Sequence, residues 1–288
     1  MKELKLNSKA PIYLSFDVED WFHLLDNPST KYPYQWHRYE KRVHIGLDLI
    51  LDLCSRKKIK ATFFCLGWIA EEYPDLIIKI HNQGHYIGTH GYAHRLVYEL
   101  SQEEFRYDLI KSISILENIV GYKIEAYRAP GFSITEDSLW AIKILSEVGI
   151  KYDSSVFPGL RSHGGIPNIN VYKPFCLRVG DSEIIEFPLP VIGINKFSIN
   201  YTGGGYFRLI PYWILKLVFE RSDYLMTYFH PRDFDSEQPY LKGLSLIRFF
   251  KSYYGIRSCL HKLELLLERH DCSLMTDYPK ECLEILEL

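Results

Sequence analysis

His90 and His94 stand four residues apart at the exit of an apolar run, in the stretch Ile87-Gly88-Thr89-His90-Gly91-Tyr92-Ala93-His94. Whether that segment turns as a helix or curls as a loop, the spacing can aim both imidazoles at one point. This is metal-ligand spacing, and the neutral imidazole is the side chain best suited to zinc and its neighbours. Gly91 rules out the His-Glu-x-x-His metalloprotease pattern, which needs a glutamate directly after the first histidine. Two histidines out of 11 do not define a site by themselves, so other residues must complete it.

Carboxylates come first along the chain. The apolar run at residues 11–16 ends in Asp17, Glu19 and Asp20, the pattern of a buried strand delivering acids at its carboxyl end. Val43, Leu47, Ile50, Leu51 and Cys54 fall at helical spacing and predict a helix over 38–58. A strand at 61–66 and one helix over 67–82 follow. Gly84 then turns the chain into a strand at 85–89 that carries the histidine pair. Ser101 and Glu104 form a capping box at the next helix start, and Gly121 falls just past its end.

Strands at 124–127 and 150–153 deliver Arg128 and Asp153, with a helix between them that Thr135 caps and that runs to 149. Residues 158–205 are rich in Gly and Pro and predict a long loop with a short strand at 184–187; loops of that length are more often functional than idle. Pro211 opens a helix reaching 221, and a strand at 224–229 ends at His230. Residues 244–269 read as mostly helical, 273–276 as a last strand, and 279 onward as a terminal helix. The alternation of strand and helix implies a parallel α/β sheet with its site at the carboxyl ends of the strands. With no repeat, low-complexity tract or linker, residues 1–288 read as one domain.

Composition narrows the function. A net charge of -2 leaves no basic footprint for nucleic acid. An aromatic content of 15% suits either a heavily aromatic core or stacking surfaces for sugar rings. The six cysteines, at 54, 65, 176, 259, 272 and 282, show no Cys-x-x-Cys pairing and read as free thiols in a reducing compartment. Residues 1–10 are polar and lysine-rich, and no run of 18 apolar residues occurs. The expectation is a cytoplasmic protein without a transmembrane segment, with peripheral membrane contact left open.

A parallel barrel gathers strand ends on one face. There it would collect Asp17, Glu19, Asp20, His90, His94, Arg128, Asp153 and His230. Two histidines and one carboxylate bind a divalent ion and leave positions open for water and a substrate oxygen. A second carboxylate can take the water's proton, and a separate histidine can protonate the leaving group. Taken singly, Asp153 is as well explained by a turn or cap, and Arg128 by a salt bridge; their joint arrival after separate strands points to metal-assisted hydrolysis.

The sequence resembles the polysaccharide deacetylases of carbohydrate esterase family 4. Five short motifs occur in order over about residues 11–230: Ser15-Phe16-Asp17-Val18-Glu19-Asp20, Thr89-His90-Gly91-Tyr92-Ala93-His94, Arg128-Ala129-Pro130-Gly131, Asp153-Ser154-Ser155-Val156-Phe157 and Tyr228-Phe229-His230. Gly203-Gly204-Gly205-Tyr206-Phe207-Arg208 and Phe229-His230-Pro231 look like a bacterial branch associated with exopolysaccharide loci. The resemblance implies a distorted (β/α) barrel, often of seven strands, that hydrolyses N-acetyl groups on amino sugars with a divalent ion, Zn²⁺ by expectation. It implies Asp17 as general base, His90 and His94 as metal ligands, His230 as general acid, Arg128 as the residue holding the base, and the Gly131 N–H as an oxyanion donor.

Two departures from the family pattern stand out. Val18 follows Asp17 where adjacent aspartates are usual; strand periodicity favours Glu19 as the third ligand, and Asp20 takes its place if the strand has already turned. Val156 replaces an aspartate that in many relatives tunes the acid, leaving Asp153 and Glu186 as candidates. Trp21, Phe22, Phe132, Phe157 and Tyr206, with Asp153, are candidates for lining a saccharide groove. The expected substrate is an N-acetylated saccharide, a cytoplasmic polysaccharide precursor fitting better than finished cell wall. A small-molecule amidohydrolase of the same fold and a non-catalytic carbohydrate-binding relative are the competing readings.

Overall fold

The strands at residues 12–18 alternate their side chains between two environments. Ile12, Leu14, Phe16 and Val18 point outward into the main core beneath the helices, whereas Tyr13 belongs to a second, inner cluster. The period of two puts Ser15 and Asp17 on the same inner face as Tyr13. The computed structural model describes residues 9–25, 27–159, 163–167, 169–193 and 199–288.

In chain order the strands are β1 (Ile12–Tyr13), β2 (Ser15–Val18), β3 (Thr62–Cys65), β4 (Tyr86–Thr89), β5 (Ala126–Tyr127), β6 (Tyr152–Asp153), β7 (Phe175–Val179), β8 (Ser182–Glu186), β9 (Val191–Ile192), β10 (Ile199–Asn200), β11 (Leu225–Met226) and β12 (Glu284–Glu287). The helices are α1 (Pro33–Trp36), α2 (Val43–Lys57), α3 (Gly67–Glu72), α4 (Pro74–Asn82), α5 (Gln102–Val120), α6 (Trp140–Glu147), α7 (Gly204–Leu209), α8 (Tyr212–Arg221), α9 (Leu246–Tyr253) and α10 (Ile256–Leu267).

From β2 the parallel pairing runs through β3, β4, β5 and β6 to β8. On the other side, β11 pairs parallel to β1, and Phe229 bridges Phe16. Counting β1 and β2 as one broken strand, seven parallel strands curl into a distorted barrel. Among the described residues no ladder joins β8 to β11; a relay of side-chain hydrogen bonds links Phe187, past β8, to Thr227, past β11. Ser154 Oγ donates to the Phe187 carbonyl at 2.8 Å, and Arg128 Nη2 reaches Ser154 Oγ at 3.0 Å and the Thr227 carbonyl at 3.5 Å. Tyr13, Phe64, Phe132, Tyr152, Phe187, Met226 and Tyr228 fill the interior, so much of the aromatic content is barrel core.

Local signals account for several element ends. Ser101 Oγ accepts from the Glu104 N–H while Glu104 accepts from the Ser101 N–H, and Gly121 closes α5 at φ 76°. The predicted helix over 67–82 is two helices, because Pro74 has no N–H to continue α3 and forces Tyr73 out of helical geometry. The carboxyl terminus also departs from expectation. Residues 273–276 make no strand: past a bridge from Cys272 to Ile12, Asp277 caps a 3₁₀ turn at Met275–Asp277. The expected terminal helix is a short 3₁₀ turn followed by β12, which pairs parallel to β7. The open edge of the β7–β8 hairpin offers backbone partners that override the helix preference of a Leu- and Glu-rich tail. Among the described residues no helix is long and apolar enough to cross a membrane.

Candidate active site

Asp17 lies on the inner face of β2, one residue before its end, and is almost fully buried. Its Oδ1 accepts from Arg128 Nη1 at 2.8 Å, and Arg128, immediately after β5, is itself fully buried. Two bonds to Ser154 and the Phe64 ring, 4.2 Å from the guanidinium carbon, fix that side chain. A buried, bidentately anchored guanidinium keeps the Asp17 carboxylate oriented and leaves its second oxygen toward the cavity.

Glu19 shares parity with Asp17 and meets the histidine pair. One ligand atom from each of Glu19, His90 and His94 lies within 4.8 Å of the others. His94 Nε2 stands 2.6 Å from Glu19 Oε2, yet that oxygen has no hydrogen-bond partner of acceptable geometry. His90 Nδ1 is 2.7 Å from the Arg128 carbonyl, which requires the proton on Nδ1 and frees Nε2 as a donor of electrons. Burial brings the His90 pKa down to about 4, so the ring is neutral. Burial alone would raise the Glu19 pKa, but the His94, His230 and His90 imidazoles outweigh it and hold the carboxylate ionised. A buried carboxylate oxygen without a bonding partner of acceptable geometry, facing two imidazoles, fits a divalent ion.

The loop between the histidines is held by a residue that the sequence patterns did not single out. Asp108, on α5, accepts from the Tyr92 N–H at 2.7 Å and the Ala93 N–H at 3.0 Å. Gly91 has φ 73°, and a Cβ there would lie 2.9 Å from an Asp108 oxygen. His94 adopts φ 50°, an uncommon conformation for a side chain-bearing residue that the Asp108 clamp sustains.

His230 comes from the far side of the barrel, with Nε2 3.8 Å from Asp17 Oδ2 and 3.7 Å from Glu19 Oε1. Its Nδ1 is 3.0 Å from Asp233 Oδ2, and Arg208 Nε is 3.3 Å from Asp233 Oδ1. Burial by itself would lower the His230 pKa; Glu19, Asp233 and Asp17 more than offset it, and the net shift is upward. Burial opposes ionisation of Asp233, but Arg208, His230 and Arg232 bring its pKa down to about 2. The partner that tunes His230 is thus Asp233, three residues on in the same turn, rather than Asp153 or Glu186.

Those two acids lie elsewhere. Asp153 is fully buried, accepts from Ser155 Oγ at 2.5 Å and does not reach the cavity, correcting its expected place in a substrate groove. It packs against Glu186, whose Oε1 accepts from the Val156 N–H at 2.9 Å. Burial pushes Asp153 up to about 6 and Glu186 well above the usual range, so the pair shares a proton inside the barrel.

Asp20 also departs from expectation. It lies one residue out of phase with Asp17 and Glu19, and its carboxylate accepts from the Arg42 N–H at 2.9 Å and the Trp21 N–H at 2.8 Å. It anchors the start of α2 and is absent from the ligand cluster; burial brings its pKa up to about 6. Trp21 is buried against Phe22 and Tyr39, its indole N–H on the Glu40 carbonyl at 2.9 Å, and Phe22 is fully buried; neither lines the cavity. His23 does line it: Nδ1 accepts from the Asp20 N–H at 3.0 Å, which leaves the neutral ring's proton on Nε2.

A cavity of about 400 Å³ opens over these groups, and Gly131, Phe132, Phe157, Tyr206 and Tyr228 contribute to its wall. Residues 44–152 match the polysaccharide deacetylase family, and residues 154–280 match a domain of unknown function, DUF3473. The stretch matching the first model supplies His90, His94 and Arg128, and the stretch matching the second supplies His230 with Asp233.

A peptidoglycan-N-acetylglucosamine deacetylase of Bacillus cereus is 40% identical over 93 residues, 32% of this chain and 34% of that protein. A peptidoglycan deacetylase of Helicobacter pylori is 28% identical over 138 residues, 48% of this chain and 42% of that protein. The chain therefore spans well under half the length of these curated relatives. Among solved structures, a polysaccharide deacetylase-type protein from Mycobacterium smegmatis superposes with a TM-score of 0.65 at 20% identity, covering 93% of this chain and 88% of that one. A carbohydrate esterase family 4 pseudoenzyme from Bacillus anthracis gives 0.53 at 14% identity, covering 98% and 70%. At these identities both establish the fold.

Proposed function

We propose that the protein is a metal-dependent hydrolase that removes N-acetyl groups from amino sugars. The observation that carries this reading is the convergence of Asp17, Glu19, His90, His94 and His230 on one cavity wall. Glu19, His90 and His94 would hold the divalent ion, Zn²⁺ by the chemistry of two imidazoles and a carboxylate. When bound, that ion supplies Lewis acidity to a carbonyl oxygen and lowers the pKa of water.

The protein's own residues account for the proton movements. Asp17, held by Arg128, accepts the proton of the attacking water. The Gly131 N–H donates to the oxyanion that develops on the acetyl carbonyl oxygen. His230, kept protonated by Asp233, Glu19 and Asp17, gives its proton to the departing sugar nitrogen. Phe132, Phe157 and Tyr206 supply apolar faces for the pyranose ring.

The reading extends to a cytoplasmic polysaccharide precursor, of the kind made from exopolysaccharide loci; the buried free thiols of Cys54, Cys65 and Cys259 support a reducing compartment. Metal analysis combined with acetate release from a panel of N-acetylated saccharides tests the activity. Stoichiometric metal with acetate released from at least one saccharide is the expected result. Turnover confined to small non-sugar amides would transfer the protein to the amidohydrolase reading, and metal-loaded protein inert on every amide would make it a binding relative.

A further inference from the structure

Residues 238–263 contain no Asp or Glu but include Lys242, Arg248, Lys251, Arg257 and Lys262, in a chain whose net charge is -2. Part of this basic stretch faces the active-site cavity. Arg248, Lys251 and Ser252 stand at positions i, i+3 and i+4 of α9, so they share one helix face, and all three line the cavity together with Arg208 and Arg232.

The charges on that wall are unevenly matched. Arg208 is paired with Asp233 and donates to the Ser252 and Lys251 carbonyls. Arg232 is nearly buried, yet among the described residues it makes no ion pair with a carboxylate; the one hydrogen bond of its side chain there is a 3.4 Å contact to the Ser252 carbonyl, and Tyr253 covers its face at 5.5 Å. Burial and the neighbouring Arg208 push the Arg232 pKa down. Arg248 Nε is shielded from solvent and, among the described residues, has no hydrogen-bond partner. Lys251 Nζ touches the Tyr206 hydroxyl at 3.4 Å and, among the described residues, no acid.

Asp233 and Glu19 lie near enough to favour the Arg232 charge, but the carboxylates of the cavity are shared with closer partners and offset these cations only in part. Asp17 is neutralised by Arg128 and Asp233 by Arg208 and His230, while Glu19 faces the two imidazoles. An incompletely paired cation shielded from water is costly to the protein on its own and gains from an anion delivered by a ligand. Guanidinium forks match carboxylate and phosphoryl oxygens alike.

We propose that Arg232, Arg248 and Lys251 form a subsite for an anionic substituent, phosphoryl or carboxylate, on the saccharide whose acetamido group is cleaved. The subsite rests on the hydrolytic reading above and narrows its substrate to charged amino sugars or amino sugars beside a charged residue. Arg232, placed deepest, reads the anion's position; Arg248 and Lys251, at the α9 side, capture it.

Matched glycosides test this. Methyl N-acetylglucosaminide and N-acetylglucosamine 1-phosphate differ by the phosphoryl group, and N-acetylglucosamine linked to glucose or to glucuronic acid differs by the carboxylate. The wild type should prefer the anionic member of one pair by at least about tenfold in kcat/KM, and the pair showing the preference identifies the anion. Arg248→Ala and Lys251→Ala should each reduce that preference several-fold through KM, and added salt should erode it in the wild type. Calorimetric titration of the same glycosides supplies a readout that needs no turnover. If no glycoside is deacetylated but the anionic one still binds more tightly, with dependence on Arg248, the hydrolytic reading fails and the anion site stands. Equal kcat/KM and equal binding within both pairs, or a preference that neither variant changes, would overturn the subsite.

Discussion

His230 Nδ1 lies 3.0 Å from Asp233 Oδ2, and the His230 backbone N–H donates to the same oxygen at 3.0 Å. One carboxylate therefore fixes the ring's tautomer and its orientation, and leaves Nε2–H aimed at the cavity. The Pro231 turn that makes this contact is pinned from behind by α2, where a Cβ on Gly46 would lie 1.9 Å from the Pro231 carbonyl oxygen.

Asp233→Asn should act through His230. Since Asp233 helps to raise the His230 pKa, its neutralisation should move the alkaline limb of kcat/KM toward lower pH while bound metal is retained. The Asp233 pKa is depressed to about 2 in the folded protein, so its stabilising contribution is present above the ordinary aspartate value near ~3.9 and is lost as pH falls toward about 2. The variant should accordingly show less loss of stability than the wild type over that acid range. An unmoved alkaline limb in a folded, metal-loaded variant would remove Asp233 from the mechanism.

Metal content separates Glu19 from Asp20. His90→Ala, His94→Ala and Glu19→Ala should each lose most of the bound divalent ion, whereas Asp20→Asn should keep it and lower thermal stability by roughly 1 kcal/mol, as expected from loss of a helix-start anchor. Elemental analysis showing greater metal loss in Asp20→Asn than in Glu19→Ala would reverse the assignment.

Base and acid should be separable from metal binding. Asp17→Asn and His230→Ala should retain metal while each loses on the order of 10²–10⁴ in turnover, the usual worth of one positioned proton-transfer group. The His230→Ala profile should also lose its alkaline limb. Near-normal deacetylation by metal-loaded His230→Ala would end the acid assignment.

Asp108 touches no proposed ligand atom, yet it clamps the loop that carries both histidines. Asp108→Ala should weaken metal affinity by about 10- to 100-fold, in line with loss of groups that orient ligands. A chelator competition titration measures this, and unchanged affinity would make Asp108 a purely structural residue.

Much of the site could be read from short-range pattern. A period of two set Ser15 and Asp17 on the inner face of β2 with Tyr13, strand-helix alternation implied a parallel sheet, and the Ser101 and Glu104 capping box stands where its spacing puts it. These features depend on neighbours only a few residues away, which is why the sequence by itself determined them. Only the tertiary structure decided which distant groups meet. Trp21 and Asp153 have side chains as suited to a saccharide groove as those of Phe157 and Tyr206, but the first two are turned into the core by the Glu40 carbonyl and by Ser155. Asp233 and Asp108 carry no distinctive motif; a tight turn gives one to His230, and α5 packing gives the other to the histidine loop. The basic face of α9 gains meaning only from closure of the barrel, which brings Arg248 and Lys251 into one cavity with Asp17, more than 200 residues earlier. Local chemistry sets which way a side chain points along its own element, and long-range packing sets what it finds there.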